Sequence, residues 1–406
     1  MEIIEGKVFI NGRLRKASIG IEDGKIVKIK KILYGKVHNY GNLVILPSGI
    51  DIHVHFREPG YEYKEDFFTG SKAAALAGIT FIADMPNNKP AIMTNESFRK
   101  KIEMVKGKAW VDYGIYAGVG EKLVKDARLY KLYLSGDNES YVDYDKLPSL
   151  LRKIKEKDAF LAIHAEDRNC IKRQGKNLEE YNKNNPIKCE EMAVKKLLEI
   201  NEKIKAKIHI CHVTSAKIAK ELNKKGTSFG ITLHHILFSY ESRFKKEAIG
   251  KVNPPLRNEE ERKKLFKMVM KGKPPIMESD HAPHTIEEKN DFPSSPAGMP
   301  GIDALLPIML YFVKIGKISL KNLMKMVAEN PARLIGVNKG SISIGNDADF
   351  IIVDFKKLDK IKPLSKCGWS PYEGMNAIYP AHVWMRGNVI VEDGIPVGKP
   401  MGERKK

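Results

Sequence analysis

Glutamine occurs once in the 406 residues, at Gln174, and cysteine four times, at Cys170, Cys189, Cys211 and Cys367. The cysteines are widely spaced and form no CxxC pair. That argues against a disulfide framework or a thiolate zinc site and fits a reducing cytoplasm. No run of about 18 apolar residues is present, so no membrane span is expected. The opening MEIIEGKVFINGRLRK alternates apolar and polar residues and lacks the apolar stretch of a signal peptide. Internal repeats, low-complexity tracts and zinc-finger, helix-turn-helix or RNP-like patterns are also missing. Acidic residues are outnumbered, 50 against 70 basic, which leaves a formal charge of +20. The excess is scattered through segments such as KLLEINEKIKAKI and EEERKKLFKMVMKGK, interleaved with glutamate. This describes a solvated lysine-rich surface rather than a phosphate-binding patch. Abundant lysine and glutamate beside one glutamine also match the composition of proteins from hot environments.

What is present is a change of texture along the chain. The first 47 residues carry short alternating strands (KVFING, ASIGIEDGKIVKI, NLVILPSG) separated by glycine and Asp-Gly turns, and the last 65 repeat the pattern in GSISIGNDADFIIVDF and HVWMRGNVIVEDGIPVG. Two β-rich ends around a different middle predict one small β-sandwich built from residues 1–47 and 340–406. Between them, eight apolar strands alternate with helical patterns: GIDIHVHF, GITFIADMP, DYGIYAGV, YKLYL, FLAIHAE, KIHICHV, SFGITLHH and PPIMESDHAPH. Eight such units predict a (β/α)8 barrel over residues 48–339, an α/β fold of the TIM type.

In such a barrel, catalytic groups sit at the C-terminal ends of the strands, and most of the 11 histidines fall there. His53 and His55, at i and i+2 on strand one, point the same way and can grip one ion. His164 ends strand five, His212 strand six and Asp280 strand eight. Imidazole and carboxylate donors suit zinc, and there are too many for one tetrahedral ion, so two metal ions are expected. Lys131 on strand four has two readings. Its stem packs while the ammonium escapes to the rim, or its desolvated neutral amine takes up carbon dioxide and bridges the metals as a carbamate. Arg57 is placed either to read a substrate carboxylate or to form a rim salt bridge with Glu58. Glu58, Glu166, His38, His209 and His382 read as structural, and His234 and His235, on strand seven, as side chains that are either packed or support the ligands from behind.

Taken together, DIHVHFREPG, GITFIADMPNN, YKLYL, IHAED, HICHVTS, KVNPPLR and SDHAPH resemble the dihydroorotase branch of the amidohydrolase superfamily, the type with a carbamylated lysine. NPARLIG and SPYEGM extend the resemblance over nearly the whole chain. It implies two zinc ions, one held by the positions of His53, His55 and Asp280 and one by His164 and His212, bridged by a Lys131 carbamate. It further implies that Arg57, Asn87 and His284 clasp the substrate carboxylate, that Asn253 contacts the ring, and that Asp280 serves as general base and then acid. The reaction implied is reversible closure of N-carbamoyl-L-aspartate to dihydroorotate, with SGDNESYVDYD as a lid. Partners implied are a second copy of the chain or aspartate transcarbamoylase. The alternatives are another cyclic amidase (allantoinase, dihydropyrimidinase or hydantoinase) and an inactive scaffold. Retention of all six ligand positions weighs against the scaffold.

Overall fold

Tight turns decide how the chain ends fold. Asn11-Gly12, Asp23-Gly24 and Asp393-Gly394 each put both residues at positive φ, the left-handed pair whose twist matches a two-residue hairpin. The first two join strands Glu2–Ile10, Arg13–Glu22 and Lys25–Lys30 into an antiparallel meander. Lys36–Pro47 pairs parallel with Glu2–Ile10 and, on its other side, antiparallel with Phe350–Val353. His382–Met385, Asn388–Glu392 and Ile395–Pro396 complete the row, so both chain ends share one eight-stranded sheet. The sheet curls until residues 345–346 hydrogen-bond with Ile26 on its edge strand (Ile26 N–H to Asn346 O, 2.9 Å; Gly345 N–H to Ile26 O, 2.8 Å). Inside this small sandwich lie Ile4, Ile19, Ile26, Ile45, Ile352 and Trp384. Each buried isoleucine contributes about 1.5–3 kcal/mol by leaving water. This computed structural model describes residues 1–405.

The eight apolar segments of the middle form parallel strands in chain order: Gly49–Val54, Ile79–Asp84, Asp112–Gly118, Leu129–Tyr133, Phe160–His164, Lys207–Ile210, Ser228–Thr232 and Ile276–Glu278. The row closes on itself where His55 N–H donates to His281 O at 2.8 Å and Val54 bridges His281. The strands are buried on both faces, as the continuous apolar runs require. Helices start where the sequence supplies caps. Asp66 and Thr69 form a capping box ahead of Phe67–Leu76, and Ser215 opens Ala216–Lys225, which ends at Gly226 in the left-handed conformation. No helix among the described residues is long and apolar enough to cross a membrane.

Two expectations are corrected. Cys170 and Cys189 are joined by a disulfide, although their spacing carries no signature. The loop after strand five folds back onto the start of helix Ile187–Ile204, which brings the two Cα atoms to 5.3 Å. Cys211 and Cys367 remain free. His234 and His235 are not on strand seven. Thr232 caps a short helix, Leu233–Leu237, that carries both.

The two sheets are fastened at the base of the barrel by charge. Buried Lys339 lies 2.9 Å from Asp112 at the start of strand three, 3.1 Å from Asp347 and 2.6 Å from Asp349, just before the terminal strand Phe350–Val353. Burial opposes the ammonium, but the three aspartates outweigh it and keep it charged. Arg386 also pairs with Asp112. The final residues run beside strand three, with Tyr113 N–H donating to Glu403 O at 3.0 Å and Lys405 N–H to Tyr113 O at 2.9 Å. Lys339→Met should therefore strand buried carboxylates and lower the unfolding free energy by about 3–5 kcal/mol, measured by denaturant titration against wild type.

Candidate active site

At the opposite end, the C-terminal ends of the strands surround a cavity of about 180 Å³ lined by His53, His55, Arg57, Asn87, Tyr133, Asp137, Asn138, His164, His212, Asn253 and Asp280. Larger clefts elsewhere on the surface, of about 440 and 710 Å³, contain no histidine. Alternation along strand one aims His53 and His55 inward together. Their Nε2 atoms lie 3.3 and 3.1 Å from the same Asp280 oxygen. His212 and Asp280 reach the cavity through left-handed backbone, at φ 40° and 47°, as does Arg57 at 63°. Three such non-glycine residues in one site mark strain held in place by the surrounding structure. His164 Nδ1 faces His212 Nε2 at 3.0 Å. Ligand atoms of His53, His212 and Asp280 lie within 4.8 Å of one another.

This donor set fits a metal centre. Nδ1 of buried His212 has no hydrogen-bond partner, nor does either ring nitrogen of buried His234 close by. Burial, then His164, pushes His212 well below the usual imidazole range, so it presents a neutral ring. Burial and Lys131 disfavour a charged His53, yet Cys211, Asp280 and Glu278 outweigh them and carry it up to about 10. Burial raises Asp280, but His53 and the hydrogen bond to His55 dominate and hold it well below the carboxylate range. Asp280 and Glu278 thus hold a positive charge on the His53 ring beside the neutral ring of His212, and this pull on a proton marks a place where a cation is favoured.

The structure brings His53, His55, His164, His212 and Asp280 together and places the remaining expected residues unequally. Lys131 does not escape to the rim. It is wholly buried on strand four beneath the cavity, and its Nζ donates to Cys211 Sγ at 3.1 Å. Arg57 does not pair with Glu58, whose carboxylate instead takes Phe67 N–H and Lys108. The Arg57 side chain donates from Nε to Pro283 O at 3.0 Å and sits 3.1 Å from His284 Nε2, with no carboxylate partner among the described residues. His284 lies behind Arg57 rather than on the cavity wall, with Lys64 Nζ 3.1 Å from its Nδ1. Burial, then Arg57, pushes it down to about 3, so it is neutral. Asn87 Oδ1 accepts from His55 Nδ1 at 2.7 Å, and Asn253 Oδ1 accepts from Tyr181 at 2.6 Å.

Sequence reasoning missed Glu278. Its carboxylate accepts His212 N–H at 2.5 Å and lies 3.5 Å from His53 Nδ1 and 3.3 Å from His209 Nε2. Gly230 on strand seven makes room for it, since a Cβ there would meet the Glu278 carboxylate at 2.3–2.6 Å. The signal was its position two residues before Asp280 in IMESD, on an inward-facing strand. Cys211 was readable in the same way, two residues after inward-facing His209. Glu166 does more than fill space: it accepts from His164 Nε2 at 2.7 Å.

A closed parallel barrel with imidazoles and a carboxylate converging at its strand ends has metal-ligating residue types where barrel enzymes carry their catalytic groups. The chain belongs to the amidohydrolase family, whose model matches residues 44–390. It is 34% identical to the dihydroorotase of Methanosarcina acetivorans, covering 98% of this chain and 93% of that one, and 36% identical to the dihydroorotase of Pyrococcus furiosus, covering 99% and 95%. Among solved structures, the L-hydantoinase (dihydropyrimidinase) of Arthrobacter aurescens superposes with a TM-score of 0.93 at 23% identity over 99% of both chains. The dihydropyrimidinase of Brevibacillus agri does so at 0.90 and 24%, over 100% of this chain and 98% of that one. At these identities the superpositions establish a shared fold. Glu278→Gln should weaken divalent metal binding about 10- to 100-fold, as loss of a group that orients ligands does; competitive titration against a metallochromic chelator measures it.

Proposed function

We propose that this protein is a dihydroorotase, closing N-carbamoyl-L-aspartate to dihydroorotate with loss of water and reopening it. The observation that carries the reading is Arg57: a buried guanidinium at the cavity wall, beside the metal-ligand set, with no carboxylate of its own. Both proposed substrates offer a carboxylate next to the reacting amide, and guanidinium accepts one in a two-pronged, charge-assisted contact. A neutral hydantoin or dihydrouracil ring has none to offer. The curated relatives named above point the same way.

His53, His55 and Asp280 would hold one zinc ion and His164 and His212 a second, with Lys131 between them as a carbamate. Metal there supplies Lewis acidity, polarising a carbonyl and making water a usable nucleophile near neutral pH. The chain's own groups do the rest. Arg57 fixes the carboxylate, and His284 with Pro283 O fixes Arg57. Asn87 sets the His55 ring while its amide N–H groups remain for the substrate, and Asn253 faces the ring. Asp280 takes the proton from the attacking water at a carboxylate oxygen and returns it to the departing ring nitrogen, and the reverse order closes the ring. The Lys131 amine is wholly buried beside Cys211 with no carboxylate partner among the described residues, and a carbamate formed there would supply the anion that two neighbouring cations require.

Ring closure followed spectroscopically with purified protein is the direct test. Arg57→Met should lower kcat/KM for dihydroorotate about 30- to 150-fold, the effect of losing a charged hydrogen bond worth roughly 2–3 kcal/mol, with metal content unchanged. Preference for dihydrouracil or allantoin over dihydroorotate, or a harmless Arg57→Met, would return the chain to the wider group of cyclic amidases. Lys131→Ala should lose both metal and activity, with partial return of each on adding short-chain carboxylic acids. Full metal content and full rate in that variant would exclude the carbamate.

A further inference from the structure

The loop after strand four, residues 134–146, brings Asp137 and Asn138 to the cavity wall. Facing it, the loop after strand five carries Arg173, at φ 50°. The far half of the strand-four loop meets the strand-five loop where the Tyr144 hydroxyl donates to Asp167 at 3.0 Å and Arg168 lies 3.5 Å from Asp143, whereas its tip, residues 136–139, is reached by Arg173. Arg173 donates from Nε to Asp137 at 2.9 Å and from NH2 to Glu166 at 2.7 Å. The same Glu166 oxygen accepts from His164 Nε2 at 2.7 Å. A continuous run of charge-assisted hydrogen bonds therefore leads from the Asp137 carboxylate, through one planar guanidinium, to the ring of a metal-ligand candidate.

Arg173 is not free to follow the strand-four loop if that loop lifts. Asn185 Oδ1 accepts the backbone N–H groups of Lys172 and Arg173 at 3.2 and 3.0 Å. The Cys170–Cys189 disulfide pins the same stretch to the start of helix Ile187–Ile204. Glu166 is fully buried, whereas Asp137 keeps about a third of its side chain in solvent. One arm of the guanidinium is thus anchored and the other grips a group that can leave. The strand-four loop contributes little apolar burial of its own over residues 136–139, and it is held at its far side by Ser140, whose hydroxyl bonds the Lys131 carbonyl and the Val119 N–H.

We propose that Arg173 is a positioning residue, a two-armed clasp that links closure of the loop tip, residues 136–139, over the cavity to the orientation of His164. This rests on reading the cavity as the dihydroorotase site. With the loop down, both arms are satisfied and Glu166 holds His164 in register. Lifting the tip breaks the Asp137 arm while Ser140, Asp143 and Tyr144 keep the rest of the loop in place. Opening of the tip, and with it exchange of substrate and product, is then governed by an ion pair whose other end touches the metal-ligand set. A lysine cannot replace this, because an ammonium does not present two coplanar donor edges.

The test uses metal-loaded, full-length Asp137→Asn, Arg173→Lys, Arg173→Met and the double variant Asp137→Asn with Arg173→Met. Four quantities are measured: KM and kcat for dihydroorotate, bound metal, and the rate of cleavage after the exposed Glu139 at the loop tip by a glutamate-specific protease. Asp137→Asn should raise KM about 5- to 30-fold, the range for a partly exposed charged hydrogen bond, with kcat changed far less, metal content unchanged and the loop cut faster. Arg173→Met should show the same KM rise and, in addition, release metal more readily. Arg173→Lys should retain metal but match Asp137→Asn in cleavage. In the double variant KM should be no higher than in Arg173→Met. Additive effects on KM, or an Asp137→Asn protein with unchanged KM and cleavage rate, would overturn the clasp, even if Arg173→Met failed to fold. Cleavage and metal content need no substrate. A protein with coupled cleavage and metal effects but no ring closure would keep the clasp and refute the dihydroorotase reading.

Discussion

The carboxylate of Glu278 is the point at which four strands are made to agree. It sits on strand eight, takes the backbone N–H of His212 beyond strand six, lies against His53 of strand one and His209 of strand six, and fills the space that Gly230 leaves on strand seven. A buried carboxylate is costly unless every lone pair is used. Here that demand is met by the groups that have to converge for metal chemistry. Burial works against its charge, while His53 and then His209 reverse the balance and keep it ionised. Register between distant strands and the aim of two imidazoles thus follow from satisfying one anion.

The barrel separates its two electrostatic tasks by distance. At the base, Lys25, Lys339, Arg386 and Lys405 face Asp112, Asp347, Asp349 and Glu403 and clamp the terminal sheet to strand three. There the charges cancel within a few ångströms. At the other end the balance is incomplete: Asp280 and Glu278 share the floor with His53, and Arg57 on the wall has no carboxylate partner among the described residues. Near-complete pairing makes the base rigid. Incomplete pairing makes the top receptive, to a cation below and to an anion beside it.

Much of this was legible from residue pattern. Periodicity of two in the terminal segments and apolar runs alternating with capped helices were enough for the sandwich and the barrel, because both patterns are local consequences of which face is buried. His53, His55, His164, His212 and Asp280 stood out because polar residues at the ends of apolar strands have few structural reasons to be there. What was not legible depends on contacts between segments far apart in the chain. Cys170 and Cys189 meet only because a loop folds back on a helix. His284 is set behind Arg57 by the path of residues 281–284, and nothing in SDHAPH distinguishes a wall position from a supporting one. His234 and His235 looked like strand residues because Thr232, which ends the strand, also caps a helix, and the apolar-to-polar change is the same in either case. Arg173 is one of many basic residues in a lysine-rich chain, and only its two carboxylate partners single it out.

The candidate metal donors His53, His55, His164, His212 and Asp280 lie on or within two residues of strand ends, whereas Arg57, Asn138 and the residues around His284 stand on connecting segments farther out. The two sets are therefore under different mechanical constraint. A change on a strand end disturbs hydrogen-bond register in its neighbours, while a change on a connecting segment is absorbed locally. Across generations of sequence divergence, such a barrel can keep its strand-end groups almost untouched while the groups proposed to read the substrate are replaced a few at a time. The architecture makes chemistry heritable and selectivity negotiable.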